Sequence, residues 1–399
     1  MLDFESARQR FVEMATICGQ ESLPLHQALG RVLAEPLHAQ CAVPEFDTSA
    51  MDGYALRLED TLQLPYRLRV EGEAPAGAAP TRLQRGTAMR IFTGAAVPEG
   101  ADAVVMQEHV VHEGQTICGD RRVVLGQNLR QRGEDLSESA LALERGQRLY
   151  PSTLALVSFL DRAELLVAKA PRVTLLCTGS ELRAPGTEAR PGTIAESNSP
   201  VIAALAQQAG ACVLGTSLVD DHEARTRKAI EQSLDVSDVL VTIGGVSVGD
   251  YDFVRPALQA AGVALELYKV GIKPGKPITL GRRDAKVVIG LPGNPAGAVV
   301  TFALFGMPLL RAMQGDKQPI ARPIWIPVTT AVKRDTTRTR VVLGSLTNFE
   351  GRSGFAAHPN QTSGATIALG QTEGFVILEP SNERAEVGAL LPFHRWTDL

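Results

Sequence analysis

Apolar runs alternate with glycine-rich turns in the second half of the chain. Three of these runs are short and β-branched and predict buried strands, at 238–243, 264–270 and 286–290. Each run ends in a turn rich in glycine or proline, at 244–249, 271–277 and 291–295. Helical spacing follows the first turn at 252–261 and the last turn after Pro295. Strand, turn and helix in repeated order predict a parallel α/β sheet.

The segment before these runs has the same pattern. Strands are predicted at 172–177 and 213–219. Ser199 followed by Pro200 predicts a helix start with Ser199 as its N-cap, because a serine oxygen accepts a backbone N–H and proline suits the first turn. Asp220 and Asp221 head a further helix, at the positive end of its dipole. The α/β domain is therefore predicted to span 169–318.

Helical and β patterns flank this domain. Helical spacing predicts two helices within 3–34 and a further helical pair or hairpin at 137–147 and 152–160. Short strands between 66 and 125 predict a β-rich insert, and period-two runs predict a small C-terminal barrel or sandwich with strands at 324–328, 340–346, 355–357, 366–368, 374–378 and 387–391. We therefore predict an α/β multidomain protein: a helical linker domain at 1–38 plus 138–168, an inserted β-rich domain at 39–137, the α/β parallel-sheet domain at 169–318 and a C-terminal β barrel-like domain at 319–399.

The three turns also carry candidate chemistry. In an open parallel sheet, ligands bind at the carboxyl ends of the strands, where glycines let the backbone approach them. Lys269, Lys273 and Lys276 add positive charge near the second turn, and Asp250 and Asp252 add carboxylates that can bind a metal. A single carboxylate of this kind is equally consistent with a helix cap or a turn, so the prediction rests on the whole set. The pattern favours a phosphate or other oxyanion together with a hard cation.

The composition favours a small molecule as the binding partner over nucleic acid or a membrane. The formal net charge of -4 and the pI of about 6.0 give no general electrostatic basis for binding nucleic acid or a membrane. The five cysteines are widely spaced and include no C-x-x-C pair, which favours a reducing, cytoplasmic compartment over structural zinc. Charged residues in the first turns exclude a secretory signal peptide, and early prolines in the uncharged segment 291–310 favour a buried core helix.

Two catalytic motifs compete with this interpretation. Residues 245–249 match the G-x-S-x-G nucleophile elbow around Ser247, but only His358 and His394 follow, both in the β tail, which disfavours a serine hydrolase. The turn 271–276 resembles a truncated P-loop, but Pro277 stands where a hydroxyl residue would hold magnesium. No strand is followed by G-x-G-x-x-G, which disfavours dinucleotide binding.

Seven segments together resemble a known family. In chain order they are 46–55 (FDTSAMDGYA), 92–98 (FTGAAVP), 100–105 (GADAVV), 178–182 (TGSEL), 244–249 (GGVSVG), 273–277 (KPGKP) and 291–295 (LPGNP). They extend over nearly the whole chain. In sequence and order they resemble the molybdopterin molybdenumtransferase family, which includes MoeA and the E domain of gephyrin.

The resemblance implies an enzyme of molybdenum cofactor biosynthesis. Such an enzyme takes adenylylated molybdopterin and molybdate, inserts the metal at the dithiolene sulfurs in the presence of Mg²⁺, and releases AMP. The resemblance also implies a molybdopterin-binding α/β domain and a homodimer whose site combines this domain with the inserted domain of the other chain. Molybdopterin adenylyltransferase and molybdoenzyme apoproteins are the partner proteins that it suggests. Tungstate, a tetrahedral dianion of similar size, stays open as an alternative to molybdate.

Residue roles follow from the matched motifs. The expected catalytic residues are Asp52, Thr93, Asp252, Lys269, Lys273 and Lys276, with Asp52 and Thr93 on the inserted-domain side and the lysines on the anions. The expected metal ligands are Glu181, Asp220 or Asp221, and Asp252. The expected substrate-binding residues are Gly244, Gly245, Ser247, Gly249, Gly275, Pro292 and Pro295, of which the prolines shape their loop.

Two comparisons within the family sharpen the hypothesis. Ser180 stands where aspartate is frequent, which bears on the metal coordination. Gly-Gly-Val-Ser at 244–247, where the related adenylating domain has Gly-Gly-Thr-Gly, favours metal insertion over adenylation. A scaffold is the competing hypothesis, because the gephyrin E domain also binds receptor peptides. The lack of an attached adenylating domain and long linker in this chain disfavours it.

Overall fold

The computed structural model describes residues 2–245, 253–267 and 269–399. Its packing divides the chain into two units. The larger unit comprises Met1–Ala34, Gly146–Leu154 and Ala163–Leu399, and the smaller comprises Glu35–Arg145 and Ala155–Arg162. The α/β sheet and the C-terminal β domain belong to the larger unit, and the inserted β-rich domain belongs to the smaller one. The finer four-part division stays a prediction.

Among the described residues, six strands form the α/β sheet. They are β1 (Arg172–Thr178), β2 (Cys212–Val219), β3 (Val239–Ile243), β4 (Ala264–Leu267), β5 (Thr279–Arg283) and β6 (Lys286–Leu291), in the order β2-β1-β3-β6-β5-β4. The first four strands in this order are parallel, with Leu175 opposite Val241 and Val241 opposite Ile289. β5 runs antiparallel to both β6 and β4, so the sheet is mixed rather than wholly parallel. β4 keeps the direction of the parallel strands, and the turns after β3, β4 and β6 therefore leave from one edge.

Helices cover both faces of this sheet. They are α1 (Asn198–Gln208), α2 (Glu223–Val236), α3 (Val254–Ala260) and α4 (Pro295–Ala312). Val173 and Leu175 share a core with α1 and α4, whereas Leu176 and Leu240 share a core with α2 and α3. Successive strand residues point to opposite faces, and here both faces are buried. This double burial explains why β1, β3 and β6 are apolar without alternation.

Helix α4 is a long apolar helix in the larger unit. By length and composition alone it could cross a membrane, but 83% of it is buried inside the protein. The rings of Phe4 and Phe11, from the N-terminal helix Phe4–Glu13, lie 5.5 and 5.2 Å from the ring of Phe305 in α4. This burial confirms the expected core helix.

The C-terminal domain closes into a barrel-like ring. Its strands are Ile324–Pro327, Val332–Lys333, Thr339–Phe349, Arg352–Ala357, Gly374–Leu378, Arg384–Ala385 and Leu390–Arg395, with a helix at Thr366–Gly370. Thr339–Phe349 pairs with both Arg352–Ala357 and Gly374–Leu378, and Leu390–Arg395 links the latter to Ile324–Pro327. A bridge between Val328 and Phe355 then joins the two ends of the series.

The smaller unit is built on a mostly antiparallel sheet. Its strand order is Ala103–Met106, Gly53–Leu56, Thr87–Ile91, Tyr66–Ala74, Thr116–Gly119 and Val111–Glu113. Tyr54 and Ile117 belong to the apolar cluster on one face, and Ala55 and Val104 belong to the cluster on the other. Short ribbons pair Leu37–His38 with Leu141–Leu143 and Thr48–Ser49 with Leu129–Arg130. The predicted β-rich insert is confirmed.

Several local predictions are wrong. Residues 28–33 do not form a second helix, because Val32 and Leu33 bridge to Arg148 and Val167. The segment 137–147 contains the strand Leu141–Leu143, and 366–368 lies in the helix Thr366–Gly370. The predicted helical linker is therefore part helical, at Phe4–Glu13 and Pro151–Phe159, and part ribbon, where Gln20–Pro24 pairs with Glu164–Ala168.

A buried histidine connects the stability of the larger unit to pH. His394 is 6% exposed and stacks on Phe375, with ring centroids 5.3 Å apart. Burial, with a smaller contribution from the charge of Arg8, lowers the pKa of His394 to about 4. Because this value lies below the unfolded value of about 6.5, the neutral ring stabilises the fold fully above pH 6.5. That stabilisation is lost as the pH falls toward 4.

We expect His394 alone to lower the free energy of unfolding by about 2 kcal/mol between pH 7 and pH 5. His394→Phe should remove this part of the pH dependence, because phenylalanine keeps an apolar ring that does not titrate. Urea unfolding of both proteins at the two pH values measures the difference. The exposed His26→Gln variant should behave like the wild type, and an undiminished slope in His394→Phe contradicts the expectation.

Candidate functional site

A cavity of about 520 Å³ lies at the carboxyl edge of the α/β sheet. Strands β1, β3 and β6 end there, as expected for a ligand site in a sheet of this kind. The lining includes the predicted residues Glu181, Asp221, Gly244, Gly245 and Pro295. It also includes residues that the sequence reasoning missed, among them Thr178, Ile194, Glu196, Asn198 and Asn294.

The three predicted turns pack against one another. The Gly244 N–H donates to the carbonyl of Leu291 at 3.0 Å, which joins the first turn to the third. A Cβ on Gly297 would lie 3.2 Å from Pro292 and 3.7 Å from the nitrogen of Gly275, so the second turn lies beside the third. The third turn therefore lies next to both of the others.

Glycine is required at the first turn for two reasons. Gly244 and Gly245 have φ values of +85° and +63°, in the region that side chains rarely adopt. A Cβ on Gly244 would lie 2.7 Å from the carbonyl oxygen of Thr178, and one on Gly245 would lie 2.4 Å from Val254. Any side chain at these positions would therefore combine strain with a clash.

Three carboxylates line the cavity, and two of them, Glu181 and Asp221, were predicted site residues. Glu181 follows β1 and Asp221 follows β2. Ser180 orients Asp221, because the Ser180 N–H donates to the Asp221 carboxylate and the Asp221 N–H donates to the Ser180 hydroxyl, each at 3.0 Å. The carboxylate of Asp220 instead pairs with Arg225 at 2.7 Å. Ser180 thus supports a neighbouring carboxylate rather than supplying its own.

Glu196 determines how α1 begins. Its Oε1 accepts the N–H groups of Asn198 and Ser199 at 2.6 and 2.9 Å, and its Oε2 accepts the Ser199 hydroxyl at 2.5 Å. The predicted cap at Ser199 is therefore wrong: the helix starts at Asn198, and a buried carboxylate satisfies its first amides. A carboxyl group offers two oxygens to these donors, whereas a serine hydroxyl offers one. An acidic residue just before a helix start is the sequence signal that could have identified it.

The C-terminal domain holds the lysine turn. Ile272–Lys273 pairs in parallel with a strand of that domain, and Lys273 Nζ lies 3.8 Å from the Asp335 carboxylate. Partial burial opposes the ionisation of Asp335, but hydrogen bonds from Thr337 and Arg338 outweigh it and lower the pKa of Asp335 to about 2. The turn is therefore braced by main-chain pairing and by a carboxylate that is ionised at neutral pH.

The predicted anion-binding lysines lie on the protein surface. Lys269, Lys273 and Lys276 are exposed, and within the described part of the chain none of them lines the cavity. Gly275, with φ of +107°, and Pro292 are buried where the second and third turns meet. Their predicted roles stay predictions.

In the smaller unit, the predicted Asp52 and Thr93 are in direct contact. Asp52 Oδ1 accepts the Thr93 N–H at 2.7 Å and the Thr93 hydroxyl at 2.8 Å. These bonds, with a weaker attraction from Arg90, lower the pKa of Asp52. The guanidinium of Arg90 lies 5.2 Å from the ring centre of Tyr54 and 5.1 Å from that of Phe92. Asp52 is therefore an oriented, ionised carboxylate on the surface of this unit.

Ser247, Gly249 and Asp252 lie outside the described residues. The histidines that a serine hydrolase would need have other contacts. His358 bonds to Asn360 and Gln371, and His394 stacks on Phe375. Neither histidine has a carboxylate partner among the residues that the structure covers, so the expectation against a triad is unchanged.

Glu181 and Asp221 fit a cation that shares its coordination with a substrate. Mg²⁺ commonly binds through one or two carboxylates together with substrate phosphates and water. Over residues 2–245, 253–267 and 269–399, no group of three or more His, Cys, Asp or Glu side chains could hold a metal. Within these ranges, Glu181 and Asp221 could therefore contribute to a cation site only together with further ligands.

Three family profiles match the chain. They are the MoeA N-terminal region (domain I and II) at 2–160, the probable molybdopterin binding domain at 174–312 and the MoeA C-terminal region (domain IV) at 326–396. Together they extend over all but short segments of the sequence.

Individual relatives agree with the profiles. A molybdopterin molybdenumtransferase 2 from Mycobacterium tuberculosis (strain CDC 1551 / Oshkosh) is 40% identical over 334 residues, which cover 81% of this chain and 82% of the relative. A molybdopterin molybdenumtransferase from Haemophilus influenzae is 38% identical over 321 residues, which cover 80% of this chain and 79% of the relative. The crystal structure of a molybdopterin biosynthesis moeA protein from Pyrococcus horikoshii OT3 superposes with a TM-score of 0.85 at 26% identity, over 99% of this chain and all of the other.

Because Glu196 satisfies two amides and a hydroxyl in a buried position, we expect Glu196→Ala to lower the free energy of unfolding by about 2 kcal/mol. Denaturant unfolding measures the change. Glu223, an exposed acidic residue in the first turn of α2, is the matched control, and Glu223→Ala should cost no more than about 0.5 kcal/mol. Equal effects of the two substitutions would show that Glu196 has no special role in starting α1.

Proposed function

The chain belongs to the molybdopterin molybdenumtransferase (MoeA) family, and we propose that it inserts molybdate into adenylylated molybdopterin with Mg²⁺-dependent release of AMP. It is a transferase of molybdenum cofactor biosynthesis. One observation carries the finer proposal. Glu181, Asp221 and the glycine turn at Gly244 and Gly245 line the same cavity, which suits a substrate with a phosphate linkage and a bound cation.

Glu181 and Asp221 would hold Mg²⁺, with Asp252 as a further ligand beyond the described residues. When bound, the ion would supply Lewis-acid stabilisation to the phosphate linkage. The bonds between Ser180 and Asp221 hold this carboxylate in place beforehand, which favours binding. The pairing of Asp220 with Arg225 supports Asp221 as the ligand of the two.

The glycine turns and the lysines would hold the anions. The backbone at Gly245 would approach phosphate or molybdate oxygens, because no side chain shields it, whereas the Gly244 N–H is already donated to Leu291. Lys269, Lys273 and Lys276 would raise the local concentration of molybdate by charge. Tungstate has the same charge and shape and would compete at these groups.

Asp52 and Thr93 would act from the smaller unit of a second protomer. We propose a homodimer in which this oriented carboxylate faces the cavity of the partner subunit. The direct bonds between Asp52 and Thr93 support a shared role for the two residues. Within such a site, the ionised carboxylate would position the substrate or accept a proton from it.

The reaction would take place in the cytoplasm, and the unpaired state of all five cysteines supports a reducing compartment. The substrate would come from an adenylyltransferase that acts on molybdopterin. The product would pass to molybdoenzyme apoproteins.

Mass spectrometry after incubation with adenylylated molybdopterin, molybdate and Mg²⁺ tests the proposal. We expect AMP and metallated pterin to appear together, and only when molybdate is present. AMP release without molybdate, or no release, would falsify it. Asp52→Ala should abolish turnover while the protein keeps its melting temperature, and unchanged turnover would reject the role of Asp52.

Asp221 and Asp220 are adjacent, so Asp220 provides a matched control for the proposed metal ligand Asp221. Asp221→Asn should raise the Mg²⁺ concentration for half-maximal AMP release by roughly tenfold or more, because it removes a ligand charge. Asp220→Asn should leave this concentration within about twofold, because its carboxylate is engaged by Arg225 on the surface. Titration of Mg²⁺ in the AMP assay measures both. The reverse order of effects would assign the metal to Asp220.

A further inference from the structure

The cavity contains a buried amide with an unused oxygen. Asn198, the first residue of α1, is 9% exposed and belongs to the cavity lining. Its Nδ2 donates to the carbonyl of Gly293 at 2.7 Å. Its Oδ1 is buried and has no hydrogen-bond partner among the residues that the structure describes. Buried acceptors are rarely left unpaired, so an unpaired one in the lining of a cavity indicates a donor on the ligand.

Two contacts fix the orientation of this amide. Glu196 accepts the backbone N–H of Asn198 at 2.6 Å and thereby holds the start of the helix. The bond to Gly293 holds the side-chain amide, because a flipped amide would turn Oδ1 toward another carbonyl oxygen. The orientation of the amide is therefore fixed: its donor is used by the protein, and Oδ1 is the acceptor that has no partner in the described residues.

The surroundings of Asn198 suit a flat ring. Ile194 is 59% exposed and lines the same cavity, so its apolar surface is available to the face of a heterocycle. Thr178 Oγ1, beneath the glycine turn, is a second buried oxygen without a partner in the described part of the chain. The lining also contains the carboxylates of Glu181, Glu196 and Asp221 and the neutral polar residues Ser197 and Asn294.

We propose that Asn198 Oδ1 accepts a hydrogen bond from the exocyclic amino group of a heterocycle of the substrate and so determines specificity for an amino-substituted ring. This inference rests on the proposed function, because adenylylated molybdopterin carries two such rings, a 2-amino-4-oxo pterin and a 6-amino purine. An oxo group in place of the amino group would set two acceptors against each other. A site built for a donor rejects the analogue that lacks it.

Direct binding of two ligand pairs tests the inference without turnover. Pterin and lumazine differ by an amino or oxo group at position 2, and AMP and IMP differ in the same way at position 6 of the purine. We expect wild-type protein to bind the amino member of at least one pair about tenfold more tightly. Asn198→Ala should reduce the ratio of the two dissociation constants in that pair to within about twofold of one. The pair that shows the effect identifies the ring.

The ratio separates recognition from structural damage. A distorted cavity weakens both members of a pair alike, and their ratio is then preserved. Asn294→Ala, which removes an exposed amide from the same lining, should leave the ratio as in the wild type. Asn198→Ser suits a helix start and replaces the alanine variant if that protein does not fold. The inference is contradicted if the wild type does not prefer the amino member of either pair, or if none of the four ligands binds. It is also contradicted if Asn198→Ala leaves the ratio of dissociation constants unchanged. Molybdate-dependent AMP release by the wild type stays an independent test of the proposed function.

Discussion

The hydrogen bond from the Gly244 N–H to the carbonyl of Leu291 joins the turns that follow β3 and β6, and the rest of the site is arranged around that junction. The bond is possible because β3 and β6 are adjacent parallel strands that end at the same level, with Ile243 opposite Leu291. Both faces of these strands are buried, so the strands cannot shift in register without exposing a core. The turns are therefore fixed by the same packing that holds the sheet together, and Glu181 and Asp221 reach the cavity from neighbouring strand ends.

The central strands were predictable because burial on both faces leaves a simple mark on the sequence. β3 and β6 are continuous apolar runs that end in glycine, and both lie where the pattern indicates. β5, Thr279–Arg283, is not a continuous apolar run, because it ends in two arginines. The sequence pattern therefore does not predict this antiparallel strand, and the predicted sheet is wholly parallel. Local patterns fail where distant pairing decides the structure. Val32 and Leu33 have helical spacing, but they form antiparallel β-bridges with Arg148 and Val167 instead.

For the site, sequence reasoning identified the residues that stand in turns and missed those whose role depends on a helix start. Gly244 was identified from its turn, and the matched family motifs assigned a metal-binding role to Glu181 and to Asp220 or Asp221. Glu196 was missed although an acidic residue before a helix start is a usable signal. Asn198 was missed because nothing in its residue type shows that its amide bonds to Gly293. The contact between Asp52 and Thr93 spans 41 positions and follows from strand pairing in the smaller unit, which a linear pattern does not contain.

The strand Ile272–Lys273 leaves the α/β sheet and pairs with the barrel-like C-terminal domain. A protein that contains only the α/β domain would lack this main-chain support and the neighbouring Asp335, so it could not present an equivalent turn in the same way. The lysine turn and the C-terminal domain are thus one structural module. If the α/β domain alone were transferred into another protein, the cavity would be transferred with it. The strand pairing and the Asp335 carboxylate that support the Lys273 turn would be lost.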